Sequence, residues 1–307
     1  LLVRLRRERY DALAVFHHFT TRWGSIKFRT LAFAAGSPVR AGLDNGRGGF
    51  LTLHALDRGF GAAHEVDYWL SVAGLLGADP RAGYRPSLPV TQRHRDDAAR
   101  LLQDTGNRHA MTPAPLVALH PGAGRYSMAR IWPVERFAQV ARALVDRYGA
   151  EIVIVGGPDE AESAAELEAK VERPGRVHAF AGRTSIHVTA ALLERCDLFV
   201  GNDSGPMHMA AAVGTPVVAV FGPSNWGAWG PYAPPDEHSP HAIVRRDLPC
   251  MPCFYRAHSL GLREGCGPRP CLTGLAADPV LAACAAALDR LQPGRNNGKA
   301  AASTLTR

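Results

Sequence analysis

Short apolar runs and amphipathic segments alternate along most of this 307-residue chain. The apolar runs lack polar–apolar alternation, which is typical of strands buried on both faces of a parallel sheet. The amphipathic segments have helical periodicity, and strand and helix recur as a pair about every 25 to 30 residues. The pattern therefore predicts an α/β protein built on doubly wound parallel sheets.

The clearest strand–helix–strand unit spans residues 198–224, and the rest of the chain is organised around it. Two apolar runs, 198–200 and 217–221, flank a polar turn, a helix of small apolar residues at 207–213 and a Gly-Thr-Pro stop. Such an order of elements is a βαβ unit, so it predicts two adjacent parallel strands joined by a helix.

The turn of this unit places polar groups at the start of a helix. Asp203 and Ser204 lie at the predicted N-terminus, and His208 follows about one helical turn later. Free backbone N–H groups and the helix dipole at such a position bind anions such as a diphosphate. The alternative is that Asp203 and Ser204 only cap the helix and that His208 faces the core.

The pattern divides the chain into two domains and a tail. We expect a first domain at 1–110, a linker near 104–115, a second domain at 116–292 and a disordered tail at 293–307. Further strands are predicted at 10–16, 38–43, 116–119, 151–155, 177–180 and 241–244. Further helices are predicted at 25–35, 64–76, 96–102, 134–148, 161–171, 186–195 and 279–291.

Composition narrows the class of protein. The chain is 46% hydrophobic and 21% charged, as in soluble globular proteins, and no apolar run approaches the ~18 residues that span a bilayer. The net charge of +7 and the pI near 9.3 favour acidic partners: nucleotide phosphates, nucleic acid or an anionic lipid surface. Because no secretory signal pattern is present, we expect a cytoplasmic location.

A Gly-rich turn follows the strand at 116–119. The sequence His-Pro-Gly-Ala-Gly at 120–124 would let backbone N–H groups approach a phosphate, and Arg130 follows it. No G-x-G-x-x-G with a downstream acid occurs, which argues against a nicotinamide dinucleotide site.

Two histidines follow the first predicted strand. His17 and His18 lie at its C-terminal end, where ligands bind in open α/β sheets. They are candidates for an acceptor site, and the alternative is a surface pair that closes the strand.

Four cysteines cluster near the end of the second domain. Cys250, Cys253, Cys266 and Cys271 have spacings of two, twelve and four residues. They could hold a structural zinc ion, although the second pair is wider than most zinc ribbons use. The alternatives are reduced thiols or a disulfide.

Residues 202–210, NDSGPMHMA, together with Gly-Thr-Pro at 214–216 and Phe-Gly-Pro-Ser at 221–224, resemble glycosyltransferase family 9, the lipopolysaccharide heptosyltransferase group. The family motif D-[ST]-G-x-x-H falls on Asp203, Ser204, Gly205 and His208. Weaker matches keep the family's order at 120–133, 156–160 and 181–185, and the cysteine segment also resembles many members. The resemblance covers nearly all of residues 10–291 and is strongest over 116–225.

The resemblance implies a GT-B fold, in which two Rossmann-like domains face each other across a cleft. The C-terminal domain of that fold binds a nucleotide sugar, without an obligatory metal ion or cofactor. The donor contacts implied for this chain are Gly122, Arg130, Glu160, Thr184, Asp203, Ser204, Gly205 and His208.

The resemblance implies a position along the nucleotide sugar for most of these residues. Ser204 and Gly205 fall at the diphosphate, with Arg130 as its basic contact and His208 beside it. Glu160 falls at the nucleotide ribose, and Thr184 falls near the base. An ionised Asp203 pointing inward would repel a diphosphate, so we expect it to cap the helix or to hold a ribose hydroxyl.

Family members begin with a strand, a turn carrying Gly-Asp and a helix, and that Asp is the proposed general base. This chain opens with the basic end of a helix and has no such segment. We therefore expect an incomplete N-terminal domain that lacks about two βα units, on the order of 60 residues. No residue of the chain is assigned as the catalytic base.

The resemblance implies an inverting glycosyltransferase that transfers a sugar to a lipopolysaccharide-type glycolipid at an anionic membrane surface. The first candidate for the sugar is heptose, donated by ADP-heptose. No nucleic acid partner and no transmembrane segment are expected. The expected location is cytoplasmic, including a peripheral position on the inner face of the inner membrane. One alternative is a non-catalytic relative that binds nucleotide sugars. Another is a zinc-bearing basic module that contacts nucleic acid, which the absence of a basic, aromatic-rich stretch disfavours.

Overall fold

Helices and strands fall into two units, which the computed structural model describes over residues 1–104, 114–124, 128–234, 237–262 and 264–291. The first unit holds three parallel strands in the order β1-β2-β3. Its elements are α1 (Leu2–Glu8), β1 (Ala12–Val15), α2 (Arg22–Ala35), β2 (Val39–Asp44), β3 (Leu53–Leu56) and α3 (Glu65–Gly74).

The second unit is larger and contains a six-stranded parallel sheet. Its first elements are α4 (Gln92–Asp104), β4 (Leu116–His120), α5 (Val134–Tyr148), β5 (Glu151–Ile154), α6 (Ala161–Val171), β6 (Val177–Ala179), α7 (Ile186–Glu194) and β7 (Leu198–Asn202). They are followed by α8 (Gly205–Ala212), β8 (Val217–Val220), α9 (Trp226–Trp229), β9 (Ala242–Val244), β10 (Phe254–Arg256), β11 (Ser259–Gly261), α10 (Pro270–Thr273) and α11 (Ala277–Leu291).

The order of strands in the larger sheet is β6-β5-β4-β7-β8-β9. The chain therefore starts at β4 in the middle of the sheet and adds β5 and β6 on one side. It then returns to the middle with β7 and adds β8 and β9 on the other side. The reversal lies between β4 and β7, and such a switch point opens a crevice beyond the C-terminal ends of two neighbouring strands. The fold thus places the residues that follow β4 and β7 where α/β proteins bind ligands.

The strands of the larger sheet are buried on both faces. Trp132 and Phe137 pack on one face with α5, α6 and α11, and Phe180 and Phe199 pack on the other with α4, α7 and α8. Because neither face meets water, each central strand is apolar at successive positions. This packing explains the unbroken apolar runs in the sequence.

The βαβ unit predicted at 198–224 is present as β7, α8 and β8. Strand β3 was not predicted, because its side chains are mostly exposed and form no apolar run. The short antiparallel hairpin of β10 and β11 was also missed. Both elements are short, and most of their side chains are exposed, so neither leaves an apolar run in the sequence.

Helix α4 packs against α7 and therefore lies on the second unit. Its Ala98 and Leu102 are buried in the same cluster as Leu192 and Phe199. The division expected after residue 110 would have placed α4 in the first domain, so by packing the first unit is shorter than expected. Most of the linker predicted at 104–115 and the whole tail predicted at 293–307 lie outside the described residues.

Direct contacts join the two units. The Phe60 backbone N–H donates to the Ala257 carbonyl at 2.8 Å, and Asn225 Nδ2 donates to the Phe60 carbonyl at 3.0 Å. The Tyr232 hydroxyl donates to Asp67 Oδ1 at 2.8 Å. The first unit is thus held against the loops that follow β8 and β9.

None of the helices in the described ranges is long and apolar enough to cross a lipid bilayer.

We expect Ala98→Leu to lower the free energy of unfolding by about 1–3 kcal/mol, because Ala98 is fully buried between α4 and α7 and added methylenes would overpack the contact. Arg95→Ala is the matched control on the same helix. It removes only the surface pair of Arg95 with Glu194, at 2.6 and 2.9 Å, and should cost less than about 1 kcal/mol. Urea unfolding measures both, and equal effects would argue against this packing.

Candidate functional site

Two strands end side by side at the switch point. His120 is the last residue of β4 and is paired in register with Gly201, one residue before the end of β7. The turn 121–124 leaves β4, and Asp203 and Ser204 leave β7. Two loops that are about 80 residues apart in the sequence therefore meet at one edge of the sheet.

The buried amide of Asn202 ties these two loops together. Its Nδ2 donates to the Pro121 carbonyl at 2.7 Å and to the Gly122 carbonyl at 3.0 Å. Its Oδ1 accepts from the Trp132 backbone N–H at 3.1 Å. Because the side chain is fully buried, these bonds satisfy polar groups that have no water to replace them. Asn202 was noted only as part of the motif and not as a site residue.

His120 links the two loops a second time. Its Nε2 lies 3.0 Å from Glu160 Oε2, and its Nδ1 lies 3.0 Å from Ser204 Oγ. The Ser204 hydroxyl is also 3.1 Å from the Asn202 carbonyl. His120 thus joins the residue expected at the ribose to the residue expected at the diphosphate. The sequence pattern assigns His120 no role, although its position at the C-terminal end of a buried strand is a usable signal.

Glu160 is a carboxylate at neutral pH. Burial would raise its pKa, but the hydrogen bond and charge of His120 and the backbone N–H groups of Gly157 and Gly124 lower it to about 2. A Cβ at Gly122 would collide with this carboxylate, so a larger residue there would displace the Glu160 side chain from its present hydrogen bonds. The arrangement presents a charged hydrogen-bond acceptor beside a turn of bare backbone.

Arg130 and Asp203 form an ion pair across the crevice. Arg130 Nη1 lies 3.2 Å from Asp203 Oδ2, and Nη2 donates to the Ala123 carbonyl at 3.2 Å. The N-cap residue of α8 is Ser204, so Asp203 does not cap this helix, and its other expected role, holding a ribose hydroxyl, stays a prediction. Asp203 is drawn instead to the guanidinium, because a buried carboxylate needs a cation.

A cavity of about 720 Å³ opens beside this network. Gly122 and Glu160 lie on its wall, together with Ala123, Gly124, Trp132 and Pro158. Thr184, expected near the nucleotide base, does not line this cavity in the described structure. Its hydroxyl lies 2.7 Å from that of Thr189 at the start of α7.

A second cavity, of about 500 Å³, lies between the two units, and His208 is one of the residues on its wall. Burial lowers the pKa of His208. The charges of His64 and Arg130 lower it further, and the charge of Asp203 acts in the opposite direction. The other residues on the wall of this cavity include His64, Glu65, Trp69, Arg85, Ala211, Trp229, Tyr232 and Glu237. The cavity therefore begins one helical turn from Ser204 and extends along α8 between aromatic side chains.

His18 has a different role from the one expected. It is buried, with Nδ1 2.9 Å from Asp57 Oδ1 and Nε2 3.1 Å from both oxygens of Glu65. Burial alone would lower its pKa, but the two carboxylates raise it to about 9. His18 is therefore a cation enclosed between two acids and is not exposed to an acceptor. His17 is exposed, and its ring packs on Phe28 with 5.0 Å between centroids.

The four cysteines considered as an alternative zinc site are free thiols, not joined by disulfides. Cys250 and Cys266 are exposed, Cys253 is half-buried, and Cys271 is buried. Burial raises the pKa of the Cys253 and Cys271 thiols. Within the described ranges, no group of three or more His, Cys, Asp or Glu side chains is arranged to hold a metal ion.

Comparison with known proteins gives a family match over most of the chain. The model of glycosyltransferase family 9 (heptosyltransferase) matches residues 1–262. The chain is 33% identical over 131 residues to lipopolysaccharide heptosyltransferase 2 of Escherichia coli K12, covering 42% of this chain and 36% of that one. It is 32% identical over 143 residues to lipooligosaccharide heptosyltransferase 2 of Campylobacter jejuni, covering 46% and 43%. These matches thus span less than half the length of the curated relatives.

Solved structures show the same fold. The E. coli ADP-heptose lipopolysaccharide heptosyltransferase II has a TM-score of 0.63 at 22% identity, over 94% of this chain and 80% of that one. A family 9 glycosyltransferase from Veillonella parvula has a TM-score of 0.59 at 27% identity, over 79% and 66%. An E. coli heptosyltransferase solved with ADP has a TM-score of 0.58 at 17% identity, over 93% and 75%. The expected GT-B fold is therefore confirmed.

The protonation of His18 should make stability depend on pH. Folding raises its pKa from 6.5 to about 9, so the folded state binds the proton more tightly than the unfolded state. This contribution to the free energy of unfolding is complete below about pH 6.5. It is lost as the pH rises through about 9, by about 3 kcal/mol.

Urea unfolding of the wild type and of His18→Asn at about pH 6 and pH 9.5 measures this effect. The stability difference between the two proteins should shrink by about 3 kcal/mol at the higher pH, because only the wild type carries the titrating group. A difference that stays constant would show that His18 is neutral in the folded protein.

Proposed function

The chain belongs to glycosyltransferase family 9, and from this premise we propose that it transfers a sugar from a nucleoside diphosphate to a lipopolysaccharide-type glycolipid. ADP-heptose is the proposed donor, since relatives of the chain are named heptosyltransferases and one was solved with ADP. The observation that carries the proposal is the Glu160–His120–Ser204 network at the switch point.

Each part of this network suits one part of a nucleotide sugar. The Glu160 carboxylate would accept hydrogen bonds from the ribose hydroxyls, and the wall of the 720 Å³ cavity would hold the nucleoside. The diphosphate would lie at the N-terminus of α8, on the backbone N–H groups after Ser204. Gly205 has open space where a Cβ would stand, so phosphate oxygens could approach the backbone there.

Arg130 would stabilise the leaving group. In the structure its charge is paired with Asp203, and a diphosphate would compete with that carboxylate for the guanidinium. In a direct displacement the acceptor oxygen attacks the anomeric carbon, and the bond from that carbon to the diphosphate oxygen breaks. The nucleoside diphosphate then departs with its negative charge facing Arg130 and the positive end of α8.

The interdomain cavity is the proposed position of the acceptor. The charged groups on its wall are already paired, Glu65 with His18 and Glu237 with Arg85. Its remaining wall is largely aromatic or apolar, including Trp69 and Trp229, which meet edge to face at 6.3 Å. Such a wall suits an uncharged sugar ring better than a phosphate. No described residue is assigned as the general base.

We expect ADP to raise the melting temperature of the protein more than UDP or GDP does, because ADP-heptose is the proposed donor. A ligand that binds only the folded state adds about 2.7 kcal/mol to the free energy of unfolding when its concentration is 100 times Kd. Arg130→Ala and Ser204→Ala should weaken ADP binding about tenfold to a hundredfold, the range for a lost charge-assisted hydrogen bond. Gly205→Ala should bind ADP poorly while retaining its thermal stability, because its Cβ meets no protein atom.

Arg93→Ala, an exposed arginine on α4, is the matched control and should bind ADP normally. Unchanged affinities in all three site variants would reject this donor site, and a folded protein that binds none of the three nucleotides would reject the function. Binding without transfer to any glycolipid acceptor would instead favour the non-catalytic alternative.

A further inference from the structure

The excess positive charge of the chain is concentrated at one end. Residues 1–40 contain eight Lys or Arg and two Asp or Glu, whereas the other 267 residues contain 27 and 26. Nearly all of the net charge of +7 therefore belongs to α1, α2 and the segments beside them. The donor site lies in the other unit and does not account for this asymmetry.

Helix α2 exposes an apolar stripe on its outer face. Trp23, Ile26 and Phe33 are 80%, 49% and 53% exposed, and at 100° per residue they fall within about 80° of one another. The opposite face is buried through Ala32 and Ala35. An amphipathic helix of a globular protein ordinarily exposes polar residues, so this stripe needs an explanation.

Cations flank the stripe on both sides. Arg22 and Arg29 lie along one edge and Lys27 lies along the other, and α2 contains no acidic residue. Arg29 and Arg40 lie over the Phe33 ring, with 5.7 and 5.5 Å from guanidinium carbon to centroid. Long cationic side chains beside apolar ones can reach polar headgroups while the apolar groups enter hydrocarbon.

A basic depression adjoins the C-terminal end of α2. It has a volume of about 610 Å³ and is lined by Arg6, Arg7, Arg9, Tyr10 and Asp11 together with Ala35, Gly36 and Pro38. Three arginines against one aspartate leave it positive, as a site for a phosphate headgroup requires. Helix α1 packs against α2, and Ala35 lies on the buried side of α2, so the depression adds positive charge to this unit but is separate from the stripe.

We propose that the exposed face of α2, the stripe with its flanking cations, docks the protein on an anionic lipid bilayer. Trp23, Ile26 and Phe33 enter the interface between headgroups and acyl chains, and the surrounding cations contact lipid phosphates. The proposal adds a docking surface to the proposed function, in which the acceptor is a glycolipid. It concerns a different unit from the donor site, so the two can fail separately.

A bilayer fits this face better than other partners do. A nucleic acid would use the cations but would leave three large apolar side chains exposed on the stripe. A second copy of the chain would bring two rows of cations together without any acidic residue on α2 to pair with them. A bilayer with anionic headgroups satisfies both the charge and the apolar stripe.

Co-sedimentation with vesicles tests the proposal. The protein should bind vesicles containing phosphatidylglycerol and should bind pure phosphatidylcholine vesicles at least tenfold less, and added salt should weaken the binding. Lys27→Glu with Arg29→Glu should lower binding by more than tenfold. The control, Arg93→Glu with Arg195→Glu, changes net charge equally on exposed residues of the second unit and should have little effect.

Tryptophan fluorescence distinguishes insertion from simple attraction. Trp23 should shift to shorter wavelength on binding, the shift should vanish in Trp23→Phe, and Trp23→Gln should weaken binding. Equal loss of vesicle binding in both charge variants would overturn the proposal, and so would a Trp23 that does not respond to bound vesicles.

Two further measurements test whether this face binds nucleic acid or a second copy of the chain instead. Binding to a polynucleotide that depends on Lys27 and Arg29 but not on Trp23, without vesicle binding, would assign the face to nucleic acid. Lipid-free dimers abolished by Trp23→Gln would assign it to self-association. ADP titration of the same charge variants should match the wild type, so a lost donor site would be recognised independently.

Discussion

The candidate site depends on one buried amide at the point where the winding of the sheet reverses. Asn202 ends β7 and has its two donors and its acceptor satisfied by the backbone of the turn after β4 and of Trp132. A polar side chain without access to water is strongly destabilising unless its hydrogen bonds are made. The geometry of the Gly-rich turn is therefore set from the neighbouring strand, and the bare backbone beside Glu160 follows from it.

Charges near the cleft are arranged as compensated pairs. Arg130 is held by Asp203, and the His18 cation by Asp57 and Glu65, while the Glu160 carboxylate is hydrogen-bonded to His120 and to backbone N–H groups. Since an isolated charge is costly to bury, each pair lets the site remain folded when no ligand neutralises it. Binding of a diphosphate would then exchange one partner for another at Arg130, while His18 stays fixed because both of its ring nitrogens already face carboxylates.

Much of the fold could be predicted from local pattern, and most errors arose where distant residues decide the outcome. The strands of the second unit are apolar because both faces are covered, so their positions were visible in the sequence. Strand β3 is mostly exposed and left no such signal. Helix α4 is amphipathic in either domain, and only its contact with α7 places it on the second unit. His18 follows a strand as a ligand-binding residue would, yet α3 and Asp57 enclose it.

The sequence by itself determined the βαβ unit, the glycines that allow close approach of the backbone, and the polar residues at the start of α8, because periodicity, turn chemistry and helix capping act over a few residues. Only the tertiary structure decided that His120 bridges Glu160 and Ser204, that Asp203 pairs with Arg130 instead of capping a helix, and that the basic residues of the first forty gather beside an exposed apolar stripe. These relations join residues far apart in the chain, and packing, not local preference, brings them together.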